Sequence, residues 1–73
     1  MYVSVKYHNA LANAYTSSPF TYLTNLPLKE GDVVLAPTVK APEGSRAIVC
    51  AVNVPEPSFR CKEITKYYPA EEG

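Results

Sequence analysis

Tryptophan is absent from this chain, and its 73 residues include one histidine, two cysteines and three glycines. Each scarcity removes a class of function. Cys50 and Cys61 lie 11 residues apart with no C-x-x-C, and His8 stands alone, so one subunit can assemble neither a structural zinc site nor a redox motif. Two half-buried free thiols on neighbouring strands are the expectation for the cysteines. No apolar run approaches the roughly 18 residues of a membrane span. The leading MYVSVKYHNA has no cationic region followed by an apolar stretch, and a cytoplasmic protein is expected. Net charge is also missing. Seven cations balance seven carboxylates, so no long-range field draws nucleic acid or anionic lipid, and binding of that kind has to be local.

What is present is apolar and rich in breakers. Hydrophobic residues make up 47% and charged residues 19%, which fits a globular fold and not a disordered one. Seven prolines and six tyrosines push the class toward all-β. The length suits a single domain over residues 1–73, near the lower limit at which one core outweighs chain entropy without a disulfide, a metal or a partner. A protein partner or a homo-oligomer is therefore open.

Val3, Val5 and Tyr7 alternate with polar neighbours, which predicts a first strand over residues 2–8 with one buried face. Asn9 to Pro19 reads as a surface loop with room for one helical turn at Ala10 to Tyr15. Phe20, Tyr22, Thr24 and Leu26 share a face of the second strand. Lys29-Glu30-Gly31-Asp32 is a tight turn with Gly31 at positive φ, and Val33 to Ala36, apolar on both faces, is a central third strand ended by Pro37. Thr38 to Arg46 is a second exposed loop. Ala47 to Val54 is strand four, and Phe59 to Tyr68 an irregular fifth that needs a bulge. Pro69 to Gly73 is a solvated tail. The expected fold is a partly open β-barrel of about five strands, with Val5, Tyr22, Val33, Leu35, Ile48, Val52 and Ile64 in its core and no helix beyond two turns. In that arrangement Val33→Asp unfolds the protein.

A run of elements then carries a resemblance. Val3 and Val5, Phe20-Thr21-Tyr22-Leu23, Leu28 through Gly31-Asp32 to Pro37, Val49 to Val52, and Lys62 to Tyr67 resemble the N-terminal DNA-binding domain of the primosomal helicase PriA across nearly the whole chain. The chain is also similar to short stand-alone phage and prophage proteins that keep this barrel without a helicase. The resemblance implies recognition of a DNA 3′ end at the junction of the F-x-Y strand with the loop after Pro37. The helicase family has an acidic residue between the two aromatics, where this chain has Thr21, which offers one hydrogen bond and no charge.

Catalysis finds no footing in the residues. Glu30 and Asp32 flank a turn glycine, Ser17 and Ser18 lack a glycine elbow, and His8 has no sequence-near acid to orient it, so a non-enzyme without metal, cofactor or small-molecule substrate is expected. Weak binding of single-stranded nucleic acid is the sharper expectation. Thr21, Lys40 and Arg46 are its candidate residues, the cations for phosphate and Thr21 for sugar or base. The competing expectation is a structural or protein-interaction module of a phage or bacterial assembly, meeting its partner through an open sheet edge or the Tyr67-Tyr68 end.

Overall fold

The computed structural model describes residues 1–69, and within them every regular element is a strand. These are β1 (Tyr2–Asn9), β2 (Ala14–Tyr15), β3 (Phe20–Thr24), β4 (Val33–Ala36), β5 (Ser45–Val52), β6 (Glu63–Ile64) and β7 (Lys66–Tyr67). Pairing runs β6-β3-β1-β5-β4-β7, with β2 added to β1. Because β6 and β7 are separated by Thr65 alone and lie on the two outermost strands, the segment from Glu63 to Tyr67 bridges the sheet's ends and nearly closes a barrel. The fifth strand expected from Phe59 is thus two dyads, one parallel to β3 and one antiparallel to β4. Glu56 to Lys62 forms no strand. Of the tail expected over 69–73, Pro69 is exposed outside any strand, and 70–73 lie outside the described residues.

The loop expected after β1 is partly a hairpin. His8 faces Tyr15 and Asn9 faces Ala14 across β1 and β2. Asn9 caps the turn, its side-chain oxygen accepting from the amides of Leu11 at 3.0 Å and Ala12 at 3.3 Å, and Asn13 takes φ 50°. No helical turn forms there. The Gly31 expectation holds: its φ is 96°, and Asp32 N–H donates to Lys29 O at 3.1 Å while the Asp32 carboxylate accepts from Lys29 N–H at 3.0 Å.

In β4 and β5 the core lies on the face opposite to the one the sequence suggested. Val3, Val5, Tyr22, Leu28, Val34, Ala36, Ala47, Val49 and Ile64 are buried, with Val52 packed partly against them. Val5, Tyr22 and Ile64 are where they were expected. Val33, Leu35 and Ile48 are not; they line the barrel's outer face, half-buried. Tyr22, Leu28 and Ile64 share the interior with these strands, and the inward positions of β4 and β5 hold only alanine and valine while Leu35 and Ile48 turn outward. Val52 shares its parity with Ile48 yet faces the core, because the β1–β5 register shifts between Ser4 and Val5, leaving Cys50 as a bulge whose thiol donates to Ser4 O at 3.3 Å. The bulge expected near the C-terminal strand is thus in β5. Thr24, fully buried, is satisfied by donating to Ile64 O at 2.9 Å and accepting from Leu26 N–H at 3.0 Å.

Candidate nucleic-acid interface

Barrel closure is incomplete on one side. β6 meets β3 only at Leu23 and Thr24, with Leu23 N–H donating to Lys62 O at 3.0 Å, so the β3 edge at Phe20–Tyr22 has no strand beside it there. A groove of about 490 Å³ opens at that gap. One wall is Phe20, Thr21 and Tyr22, another the turn Pro37-Thr38-Val39, and a third the segment Phe59-Arg60-Cys61-Lys62.

Tyrosine hydroxyls fix the floor. Tyr22 donates to the Pro37 carbonyl at 2.9 Å, and the Tyr7 hydroxyl, whose partner's proton is thereby committed, donates in turn to Tyr22. This chain couples β1, β3 and the end of β4. Tyr7 also packs its ring on Phe20 at 5.2 Å and meets Tyr22 edge-on at 6.5 Å. Burial pushes the Tyr7 hydroxyl above the ordinary tyrosine range, keeping it a neutral donor.

Above that floor the groove is apolar with a cationic rim. Phe20 is 48% exposed, Phe59 63% and Val39 88%, values at which aromatic and aliphatic faces stay available to a ligand. Arg60 and Lys62 are its cations, and among the described residues no carboxylate lines it. Two faces for a planar base beside two charges for phosphate are the ingredients of single-strand binding. A second hollow of about 530 Å³, at the base of the β1–β2 hairpin, has His8 but no Lys, Arg, Asp or Glu.

Of the three residues singled out by sequence, only Thr21 lies in this groove, half-buried on β3. Lys40 is exposed one residue beyond the groove-lining Val39. Arg46 is elsewhere, on the outer face of β5 between the rings of Tyr15 and Tyr68. The groove's own cations, Arg60 and Lys62, are not among those three, because a strand over Phe59 to Tyr68 gives those two residues no part in a loop site. Their signal is the run Phe59-Arg60-Cys61-Lys62, an aromatic flanked by charge just past the Pro55 and Pro57 breakers. Cys50 and Cys61 are free thiols, but Cys61 lies outside the strands, so they do not sit on neighbouring ones. Among the described residues no three or more His, Cys, Asp or Glu side chains gather as a metal would need, and no helix is long and apolar enough to cross a membrane. No family model, curated protein or solved structure matches the chain.

Proposed function

We propose that this barrel is a non-catalytic module, of a phage, prophage or replication-associated protein, that binds single-stranded nucleic acid weakly in the groove beside β3. The observation that carries the reading is the meeting, in one concavity, of two exposed phenylalanines with Arg60 and Lys62, with no carboxylate lining it among the described residues. A base stacks on Phe20 or Phe59, each such contact contributing on the order of 1–3 kcal/mol, and the cations meet the adjoining phosphates. Thr21 adds a hydrogen bond at the lip, the role that the likeness to the primosomal helicase domain gives to the residue between the aromatics. With about two phosphate contacts the affinity is in the micromolar range and falls only gently with salt.

Fluorescence anisotropy with a labelled oligothymidylate of about five nucleotides at low salt tests this. Phe59→Ala is expected to weaken binding about tenfold or more, and Arg60→Gln with Lys62→Gln to flatten the salt dependence by about two contacts. Wild-type protein that leaves the oligonucleotide free at high micromolar concentration ends the reading. A protein-interaction module would then take its place, favoured by Tyr67, which is 46% exposed on a β7 that pairs with β4 alone.

A further inference from the structure

Outside the groove, the outer face of β1, β5 and β4 sorts its side chains unusually for a chain of zero net charge. Register sets two neighbouring rungs. Leu35 opposes Arg46, Tyr7 opposes Ala47 beside it, and His8, the next residue of β1, opposes Tyr15. The next rung holds Val33, Ile48 and Lys6, with Tyr68 against Val33 through its amide bond to Val33 O at 3.0 Å. Among the described residues no carboxylate occurs in either rung; on the far side of Leu35, which opposes Lys66 of β7, Glu43 and Glu63 line a hollow with that leucine and lysine.

Arg46 is held flat. Its Nε donates to the Tyr15 hydroxyl at 3.0 Å, and its guanidinium carbon lies 5.7 Å from the Tyr15 ring centre and 5.0 Å from that of Tyr68. This side chain is exposed and makes no ion pair among the described residues, so its two terminal amino groups face solvent in a fixed orientation. A guanidinium whose rotamer is already fixed loses little entropy when a phosphate docks, and its planar fork matches two phosphate oxygens. Lys6 is its diagonal neighbour across β1 and β5, with Cα atoms about 7–8 Å apart by sheet geometry. That spacing is on the scale of adjacent phosphates on one strand.

We propose that Arg46, clasped by Tyr15 and Tyr68, and Lys6 beside it form a second anion site on the barrel's outer face, taking successive phosphates of a nucleic-acid strand too long for the groove alone. The ligand's identity rests on the nucleic-acid reading of the groove, but the site and its residues are separate from it. Arg46 therefore serves nucleic acid away from the F-x-Y junction, and a long strand contacts more charges than a short one.

Two oligothymidylates, of about five and about twenty nucleotides, bracket the span of one small barrel. For wild type, the plot of log K against log salt is expected to be steeper for the longer strand. Lys6→Gln with Arg46→Gln removes about 1.4 from that slope, two contacts at about 0.7 each, and leaves binding of the shorter strand within about twofold. Arg46→Lys, which keeps the charge but loses the fork and the stacking, weakens the longer strand without flattening its slope by a full contact. An unchanged slope in the double variant overturns the proposal. So does binding of phosphatidylserine vesicles or polyglutamate by this face with no preference for the long oligonucleotide. If Phe59→Ala leaves short-strand binding intact while the double variant still loses its slope, the groove reading fails and the outer site stands. Should the double variant not fold, titration of wild type followed by NMR decides: the Arg46 Nε–H and Lys6 amide resonances shift with the long strand and not with the short one, and equal or absent shifts overturn the site.

Discussion

The two faces of β4 and β5 are made of nearly the same kind of residue and do opposite things. Inward, Val34, Ala36, Ala47 and Val49 are buried; outward, Val33 and the larger Leu35 and Ile48 stay half-exposed. On these two strands the inner positions share the interior with Tyr22, Leu28 and Ile64, which leaves room there for alanine and valine. On that outer face Leu35 opposes Arg46, and Tyr68 bonds the backbone of Val33.

The largest expected effect separates the faces directly. Val34→Asp places an unpaired charge in the core at a cost of several kcal/mol, enough to unfold a domain of this size, whereas Val33→Asp one residue earlier costs about 1 kcal/mol and stays folded. Urea unfolding followed by circular dichroism reads both, and equal losses would erase the distinction between faces. Two glycines sharpen it further. At Gly44, with φ 110°, an added Cβ would lie 2.6 Å from Leu35 Cβ, so the turn over the outer face is packed shut against β4. Gly31, at φ 96°, faces open space. Gly44→Ala is thus expected to cost about 2–3 kcal/mol and Gly31→Ala about 1 kcal/mol, by the same unfolding measurement.

The smallest effect concerns pH. Tyr7 has its folded pKa raised above the unfolded value by burial, so its contribution to stability is whole below about pH 10 and lost as pH rises toward and through the folded value. Tyr7→Phe should remove that part of the alkaline decline while loosening the hydroxyl chain to Pro37. Unfolding midpoints compared between neutral and strongly alkaline buffer show it, and an identical decline in both proteins would remove Tyr7 as its source.

Strand existence was legible wherever period-two alternation coincided with one wet face, as in β1 and in Tyr22 and Thr24 of β3. Turn chemistry was legible at Gly31 and Pro37. Parity in β4 and β5 was not, because a run apolar on both faces contains no alternation to read, and the Cys50 bulge reverses the phase within β5. The hairpin at Asn9 was hidden since its side-chain capping leaves no periodic trace. For the site, the F-x-Y strand and the loop after Pro37 do share a concavity, which the resemblance had implied as the junction. The cations were harder. Arg60 and Lys62 reach the groove only because the chain from Asn53 onward crosses it before pairing with β3, a long-range fact with no local signature.

Nitrogen-15 NMR of wild-type protein titrated with a short oligothymidylate tests the groove most directly. The account predicts that amide shifts concentrate at Phe20 to Tyr22, Pro37-flanking Thr38 and Val39, and Phe59 to Lys62, saturating in the micromolar range. Shifts confined to the Tyr67 end, spread evenly over the surface, or absent at high micromolar concentration would contradict it.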